Sequence, residues 1–196
     1  MRDWTMVHEM SHLFLPYLES GDAWLVEGVP TYYQNVAMAR GGLIPPEEAW
    51  RRMNRGFEGA RKIGSRYTVY EASERIGRRG LYRRVYWGGA AYMLAVDLAL
   101  REASGGAQTL GDALREIQRC CLHEMYRWSA EDFVARLDAI TATKVFSVLF
   151  EEQIKGRNFP DYELLYERLG VRILGGHPIF VDGESAIYRN AIMAPR

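Results

Sequence analysis

The sequence predicts a mainly helical protein, and three observations support this fold class. Apolar residues recur at every third or fourth position through most of the chain, which is the period of amphipathic helices. The stretch between Ala90 and Leu100 is apolar nearly all round, as in a buried central helix. From Val171 onward the pattern changes to short β-prone runs separated by turn residues. We therefore expect a helical domain over residues 1–170 and a short tail over 171–196 that forms a small β hairpin or meander.

The expected elements follow from caps, breakers and periodicity. The first helix covers about residues 3–18, with Asp3 as its cap and Pro16 in its last turn. The second carries Glu27 to Arg40, and Pro30 means that this helix either begins near Pro30 or kinks there. Further helices are expected at about 46–63, 68–76, 81–103, 110–122, 130–140, 143–155 and 161–169, and β-prone runs at 171–174, 179–181 and 186–188.

Composition limits the classes of function. The chain has 196 residues, of which 48% are hydrophobic, enough to bury one substantial core. Lys plus Arg equals Asp plus Glu at 25 each, so net charge gives no basis for a nucleic-acid partner. The longest apolar run, 85–100, is too short and too interrupted for a membrane span. Arginine clusters at 51–52, 78–79 and 83–84 are interpreted as solvated helix faces.

Cys120 and Cys121 are adjacent, and neighbouring side chains on a helix point about 100° apart. We therefore predict free thiols rather than a disulfide, which favours a reducing compartment and a cytoplasmic location. The charged pair Arg2-Asp3 leads directly into the motif described next, so no signal peptide is expected.

The strongest chemical signal is His8-Glu9-x-x-His12, an H-E-x-x-H motif. Histidines four residues apart leave the same face of a helix one turn apart and can bind one metal ion together. The glutamate between them is then placed to act as general base toward a zinc-bound water. The alternative is a helix with two structural histidines.

A third metal ligand is available in Trp24-x-x-Glu27-Gly28. A catalytic zinc site has three protein ligands and one open position, and Glu27 completes the set with His8 and His12. We predict one Zn²⁺ per chain, bound by these three residues. His177 lies in a Gly/Pro turn and is predicted to be a surface residue rather than a ligand.

Together these two motifs resemble the gluzincin metallopeptidases, the thermolysin-like clan, and within it the glycyl aminopeptidase family. The similarity continues through looser matches at 27–33, 70–73, 86–90, 150–156 and 162–170, so it covers about residues 1–170. It implies that this chain is the helical C-terminal half of a thermolysin-like domain. It also implies a peptide substrate with a free N-terminus and zinc-dependent hydrolysis of its peptide bond.

The resemblance further implies a catalytic tyrosine, and Tyr86, before Gly88 and Gly89, is the residue that matches. A phenol there can donate a hydrogen bond to the oxyanion of the tetrahedral intermediate. Tyr82 and Tyr92 are the nearest alternatives.

Two departures from the family pattern affect these expectations. Where thermolysin-like enzymes often carry an aspartate that holds a ligand histidine, this sequence has Thr31, so that support is softer or comes from elsewhere. The chain also begins seven residues before His8, without the sheet-containing subdomain that binds the substrate. Self-association through apolar surface left exposed is therefore an expectation, and a zinc-binding but inactive fragment or a peptide-binding scaffold is the alternative function.

Overall fold

The chain is described by a computed structural model over residues 4–64, 66–78, 80–121 and 126–195, and within these ranges it forms ten α-helices and one β hairpin. The helices are α1 Trp4–Ser11, α2 Ala23–Arg40, α3 Pro46–Arg61, α4 Val69–Ser73, α5 Leu81–Ser104, α6 Leu110–Cys121, α7 Ala130–Thr141, α8 Val145–Leu149, α9 Tyr162–Arg168 and α10 Glu184–Met193; the strands are β1 Val171–Leu174 and β2 His177–Phe180. The mainly helical class with a small C-terminal hairpin is confirmed. None of the described helices is long and apolar enough to cross a membrane.

Helix α5 is the centre of the fold, as predicted from its apolar sequence. Among the other elements, α2 makes the most extensive contact with α5. The two helices meet at glycines. A Cβ on Gly89 would lie 2.0 Å from the carbonyl oxygen of Trp24, and one on Gly28 would lie 2.6 Å from the Cα of Gly89. Only hydrogen atoms fit between the two backbones there, so these glycines set the α2–α5 distance.

Helix α2 begins at Ala23 and contains Pro30 within its length. Of the two predicted alternatives, a helix start near Pro30 is therefore wrong. Glu27 lies about one turn from the N-terminus of the helix, on the part that crosses α1 and α5. Glu27 is close to a helix start because α2 begins at Ala23, and Pro30 plays no part in this.

The first helix is shorter than predicted. It ends at Ser11 and continues as a 3₁₀ turn over His12–Phe14. Leu15 then adopts an extended conformation with φ −106° and ψ 144°. This is the conformation that the following Pro16 imposes on its predecessor, so the helix cannot reach residue 18. The cap expected at Asp3 lies outside the described residues.

The C-terminal tail agrees with the prediction in its first half only. Strands β1 and β2 pair antiparallel, from Val171 with Phe180 to Leu174 with His177. The third β-prone run, 186–188, is instead part of α10. Burial explains the difference: Ala186, Ile192 and Met193 are buried, and the contacts of a packed helix outweigh the β propensity of a short run.

Two other predictions are corrected. The helix expected at 143–155 is α8 followed by a π-helical turn over Phe150–Ile154. Cys120 and Cys121 form a disulfide, so the prediction of free thiols was wrong. They are the last two residues of α6, where the argument from the interior of a regular helix does not apply.

Candidate metal centre

Helix α1, the 3₁₀ turn that follows it and helix α2 bring His8, His12 and Glu27 together. The three residues offer ligand atoms that all lie within 4.8 Å of one another. Glu27 Oε2 is 3.2 Å from His8 Nε2 and 3.8 Å from His12 Nε2. Ligand atoms arranged tetrahedrally around zinc at its usual bond lengths are roughly 3.3 Å apart. Two imidazole nitrogens and one carboxylate oxygen thus form a group that could hold a metal ion.

Gln34 holds the ring of His8 from the opposite side. His8 is buried, and its Nδ1 is 2.9 Å from Oε1 of Gln34. An amide oxygen can only accept, so Nδ1 carries a proton and a neutral His8 has its free electron pair on Nε2. That electron pair faces the carboxylate of Glu27, and two acceptors face each other unless a cation or a second proton lies between them. In the neutral form of His8, Nε2 is therefore the ring nitrogen available to bind a metal.

The charges at the site depend on one another. Burial lowers the pKa of His8, but hydrogen bonds to Glu27 and Gln34 outweigh it, and the pKa is raised overall. Burial raises the pKa of Glu27, but the hydrogen bond from His8 and the nearby His12 outweigh it, and the pKa is lowered overall. Glu27 is therefore held as a carboxylate, which is the form that binds metal.

Tyr86 lies against both ligands. Its ring stacks on that of His8, with centroids 6.1 Å apart and planes within 7°, and its hydroxyl lies near the carboxylate of Glu27. Burial, with the negative charge of Glu27, raises the pKa of Tyr86 to about 12. The phenol therefore stays protonated and able to donate at neutral pH. Of the two alternatives to Tyr86 as the catalytic tyrosine, Tyr82 also lines the cleft. Tyr92 is buried in the core and donates a hydrogen bond to the carbonyl oxygen of Phe146.

The site opens into a cleft of about 920 Å³ between α1, α2, α3 and α5. Glu9 is exposed and lines this cleft beside the two histidines. The cleft also contains a group of arginines that sequence reasoning interpreted only as solvated helix faces: Arg51, Arg52 and Arg83, joined by Arg55.

The other described residues considered from the sequence are not part of the metal-binding group. His177 is exposed on β2, away from the three ligands, and His123 lies outside the described residues. Thr31 lines the cleft, and its buried hydroxyl has no hydrogen-bond partner among the described residues. Sequence reasoning missed Gln34, although its spacing of seven residues from Glu27 places both on one face of a helix.

Comparison with known proteins adds no relative: no family model and no curated protein matches the chain.

Proposed function

We propose that this protein is a zinc-dependent peptidase, and that it acts as an aminopeptidase on peptides with a free N-terminus. The observation that carries the proposal is the convergence of His8, His12 and Glu27 at one end of an open cleft, with Glu9 beside them. The free N-terminus of the substrate rests on the resemblance to the glycyl aminopeptidase family.

His8, His12 and Glu27 would hold the metal. When bound, zinc polarises the scissile carbonyl and lowers the pKa of the attacking water. Gln34 accepts a hydrogen bond from the Nδ1–H of His8 and so keeps the Nε2 of His8 directed at the site.

Glu9 and Tyr86 have separate roles around the substrate. Glu9 is exposed in the cleft, so its carboxylate can take a proton from the attacking water and pass it to the leaving amine. Tyr86 keeps its hydroxyl proton at neutral pH and can donate a hydrogen bond to the oxygen of the attacked carbonyl.

The test is hydrolysis of short peptides by the zinc-loaded protein and by its Glu9→Gln variant. We expect about one zinc per chain in both proteins, because Glu9 is not a ligand, and a loss of roughly 100-fold or more in kcat for the variant. If the wild-type chain holds zinc but cleaves no peptide, or if Glu9→Gln cleaves equally well, the peptidase proposal fails and the inactive zinc protein or scaffold is the better description.

A further inference from the structure

The cleft that contains the metal centre has a basic end. Four arginines line it, against a single glutamate in the same region: Arg51, Arg52 and Arg55 from α3, Arg83 from α5, and Glu48. The other acidic residues of the cleft, Glu9 and Glu27, belong to the metal centre. We call the four side chains the arginine cluster.

Two members of the arginine cluster share one acidic partner, whose single negative charge offsets only one of their two positive charges. Arg51 donates to both carboxylate oxygens of Glu48, at 2.6 and 2.7 Å, and Arg52 donates to one of them at 2.7 Å. Glu48 therefore holds these two side chains in place along the wall of the cleft.

The other two members have no such partner. Arg55 and Arg83 are exposed, and across residues 4–64, 66–78, 80–121 and 126–195 neither makes an ion pair with a carboxylate. The guanidinium of Arg83 reaches from α5 to α3, where its Nη1 lies 3.5 Å from the position of a Cβ on Gly59. Gly59 is one turn beyond Arg55 on the same helix, so both cations lie along one stretch of α3.

The spacing of Arg83 and Tyr86 along α5 suits a short peptide. Arg83 precedes Tyr86 by three residues on α5, which is about 5 Å along the helix axis. An extended peptide advances about 3.4 Å per residue. A substrate whose scissile bond lies at Tyr86 would thus bring a group one or two residues further along to the arginine cluster.

We propose that Arg55 and Arg83 bind a carboxylate of the substrate, either the C-terminal carboxylate of a short peptide or an acidic side chain close to the scissile bond. Arginine suits this role because its planar donors match the two oxygens of a carboxylate. The inference rests on the proposed function for the claim that the cleft takes peptides. It adds a preference for anionic peptides, which the metal centre by itself does not imply.

The test separates carboxylate binding from hydrolysis. Zinc-loaded Glu9→Gln protein is titrated calorimetrically with glycine- and alanine-containing di-, tri- and tetrapeptides, each as the free acid and as the C-terminal amide. A second series carries glutamate or glutamine at successive positions of the amidated peptides. We expect the anionic member of the preferred pair to bind about tenfold more tightly, with the preference shrinking as salt is raised. The first series identifies a C-terminal carboxylate as the ligand, and the second an acidic side chain.

The double variant Arg55→Gln/Arg83→Gln is then made in the same background. We expect the ratio of anionic to neutral affinity to fall to about one, whereas the matched control Arg172→Gln, on an exposed position of β1, keeps it. Equal binding of anionic and neutral peptides in every pair, or an undiminished ratio in the double variant, would overturn the inference. Because the readout is binding, an inactive wild-type protein defeats the peptidase proposal without deciding this one.

Discussion

The amide of Gln34 determines how His8 can be used. It accepts the Nδ1 proton at 2.9 Å and so directs Nε2 toward Glu27 and His12. In many zinc sites a carboxylate accepts this hydrogen bond from the ligand histidine. Here the acceptor is the neutral amide of Gln34, which lies two turns after Glu27 on α2. A neutral acceptor orients the ring without adding negative charge to a site that already contains Glu27.

We expect Gln34→Leu to weaken zinc binding by about 10- to 100-fold, because the ring of His8 loses its orienting acceptor. Competition with a chelator of known affinity measures the effect. Gln34→Glu keeps an acceptor at the same position and should retain most of the affinity. If both variants bind zinc as tightly as the wild type, Gln34 does not orient His8.

At the scale of residues, the spacing of His8, His12 and Glu27 was enough to predict that these three side chains lie close together. Their role as metal ligands stays a prediction. The sequence could not predict Gln34 as the partner of His8, since a glutamine on a helix has many possible partners and only the packing of α1 on α2 selects His8. For the same reason, the sequence did not predict that arginines line the cleft. Charge runs show which residues are polar, but which cavity they line depends on where α3 meets α5.

Helices α2 and α5 cross at glycine, and this crossing places Glu27 and Tyr86 on facing helices. We expect Gly89→Ala to destabilise the protein by about 1–3 kcal/mol, because the added methyl would lie 2.0 Å from the Trp24 carbonyl oxygen. Urea unfolding measures the free energy. Zinc affinity should fall as well, since Glu27 follows Trp24 by one turn. Gly77→Ala meets no atom within 4 Å and serves as the control; equal stability of the two variants would contradict the role of the crossing.

Helix α3 begins with an ion pair whose strength depends on pH. Hydrogen bonds from Arg51 and Arg52 lower the pKa of Glu48 from 4.5 to about 2. A lowered pKa means that this carboxylate stabilises the fold above about pH 4.5 and that the contribution is lost as the pH falls toward 2. Because the pair is partly exposed, we expect Glu48→Gln to cost only about 0.5–1 kcal/mol at pH 7 and almost nothing at pH 2.

The control for this variant is Glu47→Gln, which removes a charge from the same first turn of α3 without removing an arginine partner. Denaturant unfolding of both variants across this pH range isolates the ion pair from the helix dipole. A loss of stability in Glu48→Gln that is the same at pH 2 and pH 7 would show that the effect is not electrostatic.

Element boundaries were less predictable than the elements. Periodicity located the central helix because a helix that is apolar all round is stable only when it is buried on every side. The end of α1 depended on the conformation that Pro16 imposes on Leu15, and α10 depended on burial against the rest of the chain. The first effect is local but acts between neighbouring residues, and the second depends on tertiary contacts that local propensity does not measure.

At the scale of the whole molecule, the candidate metal centre joins two segments of the chain. Residues 4–14 supply His8 and His12, and α2 supplies Glu27. The rest of the cleft wall comes from α3 and α5. A metal that binds ligands from both segments binds the folded chain and not the unfolded one, so it must stabilise the fold by mass action.

We therefore expect zinc at 100 times its dissociation constant to stabilise the protein by about 2.7 kcal/mol. For a chain of this length this corresponds to a rise in Tm of roughly 5–10 °C. His12→Ala should lose both the bound zinc and the rise, whereas His177→Ala, on an exposed position of β2, should keep both. Thermal unfolding with and without zinc, with metal content measured on the same samples, tests the ligand assignment independently of any substrate. Stoichiometric zinc in His12→Ala, or an equal rise in both variants, would show that the metal is bound elsewhere.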